Sequence, residues 1–229
     1  MSDTLGVARA VSPEALEREY LTSLLAPDLG RARELIDEAL TAGLSAREVY
    51  LRVIAPAMTE IGRLWETARI SVAQEHLATQ ISQIVLAGLA GRLAGADDVG
   101  RGRVAIVAST PGERHALGTH MVADFLEVQG WRVLALGADV PARELVELAA
   151  ERRAAVVALS TALPGHLLAV TRTCQLLRRL DPPPHIIAGG RAYRDDPAQA
   201  RAVGADAFAA DPDAMLDHLA AVFGADARG

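Results

Sequence analysis

Val104-Ala105-Ile106-Val107-Ala108 is an unbroken apolar run, and Thr110-Pro111-Gly112-Glu113-Arg114-His115-Ala116-Leu117-Gly118 follows it after one serine. An apolar run of that length without polar alternation is what a strand covered on both faces requires. The next residues change character at once to proline, glycine, charges and an imidazole, and Gly118 opens a helical pattern that lasts to Gln129. Similar apolar runs recur at 131–136, 154–159 and 185–188, with a weaker one at 206–209. Helical patterns at 141–152, 166–180, 197–203 and 212–223 separate or follow them. Strand and helix alternating in this way predict an α/β domain over 103–229, a doubly wound, parallel, five-stranded sheet.

Upstream the rhythm differs. Residues 96–102 are polar and Gly-rich and read as a linker; residues 1–11 read as a flexible leader. Between them, 12–95 reads as an N-terminal four-helix bundle. Ser12-Pro13-Glu14 has the order of an N-cap, an N1 proline and an acidic first turn. Asp28 is placed to cap a helix over 29–41 that Gly43 closes. Ser45 with Glu48 forms a capping-box signature, Pro56 is expected to kink the helix that follows, and a last helix spans 71–93.

The 229 residues carry a net charge of −6 and no Lys/Arg cluster, which speaks against direct nucleic-acid binding. A single cysteine, Cys174, excludes an internal disulfide and a multi-cysteine metal site. It lies in a helical run and reads as a buried, inert thiol. No apolar stretch reaches the length of a membrane helix and no signal peptide is visible, so a soluble cytoplasmic protein is expected. Residues 1–11 are too few for a helix-turn-helix.

In a doubly wound sheet ligands sit beyond the carboxyl ends of the strands, so the loops there carry the chemistry. After the first strand, Glu113 stands two residues before His115. A metal can take one imidazole nitrogen while a carboxylate fixes the other; the same spacing suits an exposed loop histidine with an acidic neighbour. After the third strand, Ser160 and Thr161 suit either ligand contact or helix capping. After the fourth, Gly189-Gly190 suit either the approach of a flat group or a turn. His166, just past the Ser160 loop, reads as a solvated helix start, with contact to a ligand there as the alternative. A nucleotide site fits badly, because no G-x-G-x-x-G and no P-loop lysine is present.

Glu113-x-His115-x-x-Gly118, Ser160 and Gly189-Gly190, each in its loop, together resemble the cobalamin-binding domain family. The family includes the corrinoid domain of methionine synthase, corrinoid methyl carriers and light-sensing regulators. The resemblance implies a Rossmann- or flavodoxin-like domain with cobalamin (vitamin B12) as cofactor. It further implies His115 as lower axial ligand of the cobalt and Glu113 as its orienting carboxylate. Ser160, Gly189 and Gly190 would line the channel of the cofactor's displaced tail, and Arg114, Gly118 and Thr161 are further cofactor-binding residues. Glu113 departs from the family's Asp by one methylene, and Ser160-Thr161-Ala162 departs from its Ser-x-Leu.

In the bundle, Trp65 is followed after nine residues by Glu75-His76. That spacing resembles the Trp-x9-Glu-His pattern of adenosylcobalamin photoreceptors, where Trp and Glu surround the adenosyl group. A core tryptophan beside a surface charge pair is the alternative. The photoreceptors place a histidine directly after the tryptophan; here it is Glu66, so His76 or water is expected on the lit cobalt. The resemblance implies a light sensor, not an enzyme, that holds adenosylcobalamin, homo-oligomerises and signals through an effector protein. A bilin such as biliverdin is a second cofactor expected from stand-alone relatives. The rivals are a methyl carrier for methyltransferases and a light-independent cobalamin sensor.

Overall fold

The computed structural model describes residues 12–93, 99–194 and 196–224. The leader 1–11 and linker residues 96–98 lie outside that set. The chain forms two compact units, Met1–Ala94 and Gly95–Gly229.

The first unit is helical: α1 Pro13–Leu25, α2 Leu29–Thr41, α3 Ala46–Val49, a π-helical turn Tyr50–Ile54, α4 Ala55–Glu66 and α5 Val72–Leu89. The π-turn joins α3 to α4 directly, so the described residues form four rods, as the sequence predicts. Where a kink was expected at Pro56, the structure has this widened turn. Pro56 lacks an N–H, and just before it the Ala55 amide reaches back five residues to the Tyr50 carbonyl.

The caps are mostly local. The Arg31 amide donates to Asp28 (2.9 Å). Ser45 with Glu48, and Ser71 with Gln74, close reciprocal capping boxes. Ser12 occupies its N-cap position, yet its hydroxyl bonds Glu14 rather than a backbone amide. Buried polar groups tie the rods together: the Tyr20 hydroxyl donates to Ser82 (3.1 Å) and the Tyr50 hydroxyl to the Leu86 carbonyl (3.2 Å).

Two helices of this unit end the same way with different residues. At the end of α2, Gly43 sits at φ 98°, and the Gly43 and Leu44 amides bond the carbonyls of Leu40 and Ala39. At the end of α4, Ala68 takes the equivalent place at φ 55°, and the Ala68 and Arg69 amides bond Trp65 and Leu64. Both are Schellman closures. Only glycine adopts the left-handed region freely, so Ala68 holds strain immediately after Trp65.

The second unit contains β1 Val104–Ser109, α6 Leu117–Glu127, β2 Arg132–Gly137, α7 Ala142–Arg152 and β3 Val156–Ser160. It continues with α8 Leu167–Leu177, β4 His185–Gly189, α9 Pro197–Ala202, β5 Ala207–Ala209 and α10 Pro212–Phe223. The five strands are all parallel in the order β2-β1-β3-β4-β5. Alternate residues serve opposite faces. Ile106, Ala108, Val157 and Leu159 pack with α7 and α8 residues such as Leu145 and Leu177. Ala105, Val107, Val156 and Ala158 pack with Leu126 of α6 and Leu219 of α10. Both faces are covered, which explains the unbroken apolar run in β1. Cys174 is buried on α8, and burial pushes its thiol up to about 11.

The end of the expected linker belongs to this second unit. The Gly100 and Gly102 amides bond the carbonyls of Gln129 and Gly130 (2.8 and 2.9 Å). Among the described residues, no helix is long and apolar enough to cross a membrane.

Replacing Ala68 by glycine relieves the left-handed strain while keeping the closure. Ala68→Gly is expected to stabilise the helical unit by about 1 kcal/mol, read as a rise in the denaturant midpoint.

Candidate functional site

The strand order places a reversal between β1 and β3. The chain leaves β1 toward β2 on one side and returns to β3 on the other, so their outgoing loops part and open a crevice at the carboxyl edge. Register fixes what stands along that edge. Ser109 pairs with Ser160, Ser160 with Gly189, and Gly189 with Ala209, a row of small residues across four strands.

Glu113 organises the crevice. Its side chain has 0% exposure, and five donors converge on it. Oε1 accepts from the His115 amide (3.1 Å) and bonds the His115 ring at Nδ1. Oε2 accepts from the amides of Ala162 (2.8 Å) and Leu163 (3.1 Å), and lies 3.1 Å from Nδ1 of His166. Burial alone would raise its pKa. The bonds from the His115 ring and amide, the His166 ring and the Ala162 amide outweigh burial and hold the carboxyl well below the usual carboxylate range. The additional methylene of a glutamate lets one carboxylate span from the β1 loop to the β3 loop.

An ionised carboxylate only accepts hydrogen bonds, so the hydrogen of His115 sits on Nδ1 and the ring offers the lone pair of Nε2 to a metal. The ring is 35% exposed, neither sealed in nor loose. The Ser109 hydroxyl donates to the His115 carbonyl (2.8 Å), which fixes the backbone at His115 itself. Among the described residues no group of three or more His, Cys, Asp or Glu is arranged to hold an ion. A corrin brings its own equatorial nitrogens, so one imidazole suffices. The donor set therefore fits a cobalt corrinoid and fits a bare metal ion poorly.

The other predicted residues fall in different places. Arg114 is exposed on the loop, and Gly118 lies in the first turn of α6, where a Cβ would stand 3.5 Å from the Ser160 hydroxyl. Ser160 is half-buried at the edge and remains available to a ligand. Thr161 turns inward: it is fully buried, with its hydroxyl 3.2 Å from that of Thr110. It ties two loops together and does not line a channel. Gly189 and Gly190 are glycine for reasons inside the fold. A Cβ would lie 2.7 Å from the Ala209 carbonyl oxygen at the first and 2.4 Å from that of Thr161 at the second. Gly190 also has φ 102°, so the turn reading holds there.

Two residues at the edge go beyond the sequence reading. His166, read as a solvated helix start with ligand contact as its alternative, bonds Glu113 and is 26% exposed. Asp139, in the loop after β2, accepts from the Gly112 amide (2.7 Å) and donates its own amide to the Glu113 carbonyl (2.8 Å). Its position just past a strand's carboxyl end was the available signal. His185 and His218 pair with each other (Nε2 to Nε2, 2.8 Å) at the amino end of β4, away from this crevice.

In the helical unit, Trp65 is half-buried on the last turn of α4, and Glu75 lies in the first turn of α5. The Glu75 side chain is 12% exposed; Thr79 donates to it (2.8 Å) and the His76 ring lies 2.5 Å away. His76 itself is 70% exposed.

Residues 103–220 match a family model described as B12 binding domain, and residues 16–89 match a second model of the same description. The chain belongs to the B12-binding family. It is a cobalamin-binding protein with a helical unit followed by a Rossmann-like domain. It is similar to the HTH-type transcriptional repressor CarH of Myxococcus xanthus, 36% identical over 148 residues, 65% of this chain and 48% of the relative. It is also similar to trimethylamine corrinoid protein 1 of Methanosarcina acetivorans, 27% identical over 134 residues, 56% of this chain and 60% of that one. The chain thus spans about half to three-fifths of the curated relatives it matches. Its fold follows the monomethylamine corrinoid protein of Methanosarcina barkeri with a TM-score of 0.78 at 22% identity, covering 91% of this chain and 99% of that one.

Glu113→Ala strips the Ala162 and Leu163 amides and two imidazoles of their acceptor. It is expected to destabilise the α/β unit by at least about 2 kcal/mol at pH 7, measured by urea unfolding. Because the native carboxyl titrates below its unfolded value of about 4.3, this stabilisation is full above that pH. It fades as the pH falls toward the native value, so wild type and variant converge in acid.

Proposed function

We propose that this B12-binding protein is a light sensor that holds adenosylcobalamin in the dark and signals to a partner protein when light removes the adenosyl group. The observation that carries this reading is the Trp65-x9-Glu75-His76 pattern in the same chain as His115 and its buried carboxylate. Adenosylcobalamin supplies a cobalt–carbon bond that visible light breaks. The protein's own residues do the rest.

His115, oriented by Glu113, would hold the cobalt through Nε2. Ser160, at the sheet edge beside Gly118, offers a hydroxyl to the cofactor's tail. The indole of Trp65 gives the adenine an apolar wall. Glu75, already steadied by Thr79, accepts from ribose hydroxyls or the adenine amine. The indole is already half-buried in the helical unit, so the adenosyl group would cover the part that remains exposed, and its loss would uncover it again. A contact present only in the dark favours the arrangement that makes it, and in this reading its loss shifts the helices and changes how copies of the chain associate. With Glu66 after Trp65, the exposed His76 would be the imidazole of the pattern left to take the adenosyl group's place, with water as the alternative.

The second reading is a corrinoid methyl carrier. Two observations favour it: the similarity to methylamine corrinoid proteins, and Glu66 where the photoreceptor pattern has histidine. It uses His115 equally and makes no demand on Trp65 or Glu75. A third, a cobalamin sensor indifferent to light, uses the same contacts.

The test is to load the protein in darkness with adenosylcobalamin, or with methylcobalamin, and to record absorbance and size before and after green light, with and without biliverdin. A light-dependent spectrum together with a change in association is expected for adenosylcobalamin. Trp65→Ala should weaken adenosylcobalamin binding by at least tenfold while leaving methylcobalamin binding nearly unchanged. Equal loss for both forms, or a spectrum that light does not alter, removes the sensor reading.

A further inference from the structure

Glu113 carries two imidazoles, and only one of them belongs to the motif around β1. The other, His166, enters from the opposite wall of the crevice, on the short 3-10 turn Pro164–His166 that precedes α8. The two rings divide the carboxylate. His115 takes Oε1 through both amide and ring, while Oε2 receives Nδ1 of His166 at 3.1 Å beside the amides of Ala162 and Leu163. An ionised carboxylate accepts and never donates, so both rings must carry hydrogen on Nδ1. One buried group thus fixes the tautomer of both.

The consequence is orientational. A carboxylate pivots about its last carbon–carbon bond unless both oxygens are held. The two amides approach Oε2 from one short stretch of backbone, and His166 adds an independent donor from the following turn. With Oε2 fixed, the carboxylate plane is fixed, and so is the direction in which Oε1 holds the His115 ring. Room for the second ring is built in. A Cβ at Gly112 would stand 3.4 Å from Nε2 of His166, at φ 84°, where a side chain is strained in any case. The longer glutamate arm belongs to the same device. An aspartate would draw the carboxylate back by about 1.5 Å, one carbon–carbon bond, taking bonds of 2.8–3.1 Å out of range.

We infer that His166 is a positioning residue for the cobalt ligand: through the shared carboxylate of Glu113 it sets the ring orientation in which His115 presents Nε2. This rests on His115 being the lower ligand. A metal ligand held by an outer partner loses roughly 10- to 100-fold in affinity when that partner is removed.

The test uses the full chain loaded with cob(II)inamide, a corrinoid that lacks the benzimidazole nitrogen and therefore cannot split the lines by itself. Electron paramagnetic resonance distinguishes an axial nitrogen, which splits the cobalt lines into triplets, from an axial oxygen, which does not. Wild type should show triplets and His115→Ala none. His166→Ala should melt within a few degrees of wild type, yet show a mixture of split and unsplit lines and bind about tenfold more weakly. His166→Asn places an amide donor where Nδ1 stood and should restore the triplets. His166→Gln places it where Nε2 stood and should not, which keeps the comparison meaningful if the alanine variant folds poorly. Full triplets and unchanged affinity in His166→Ala, or identical behaviour of the Asn and Gln variants, overturn the inference alone. Unsplit lines already in wild type overturn both the inference and the assignment of His115.

Discussion

The site depends on a charge that has been taken out of water. An isolated carboxylate in a protein interior is costly enough that it normally takes up a proton instead. Glu113 remains ionised because five donors converge on it, two from His115, one from His166 and two from the backbone after β3. The arrangement works in both directions. The donors stabilise the anion, and the anion gathers two loops that the strand order otherwise sends apart. The His115 imidazole is then held by the protein's own groups, in the way that a well-oriented ligand requires.

The sheet supplies the rest of the edge. Because β1 and β3 are neighbours, the register that pairs Ser109 with Ser160 also brings Thr110 to Thr161 and Glu113 to the Ala162 amide. Slipping that register by one residue would turn Ile106 and Ala105 to the wrong faces and dismantle the crevice at the same time. Fold and site therefore share one constraint. Thr161, Gly189 and Gly190 serve that constraint, since their small size or inward bonds let β3 and β4 end close together. Ser160 and His115 remain as the residues of the motif that face outward chemistry.

The helical unit has a different economy. Its rods are capped by their own residues and tied by Tyr20 and Tyr50. A strained closure, at Ala68, falls between Trp65 and Glu75. Strain of this kind persists only where the surrounding structure holds it in place. Here both flanking helices are long and well anchored, so the turn that separates the two residues has a defined shape.

The sequence by itself determined whatever is encoded within a turn or two of chain. Unbroken apolar runs marked strands covered on both faces, helical periodicity marked the rods, and Asp28, Ser45 and Gly43 marked where helices begin and stop, because these caps bond within five residues. Residue type and spacing also put Glu113 beside His115. Only the tertiary structure decided which donors meet that carboxylate across 49 to 53 residues of chain, that Thr161 turns inward, and that Asp139 and His166 belong to the site. Such contacts follow from strand register and loop path, which are settled by packing the whole sheet. No short stretch of sequence carries them, and a histidine at a helix start looks the same in solvent as it does behind a metal ligand.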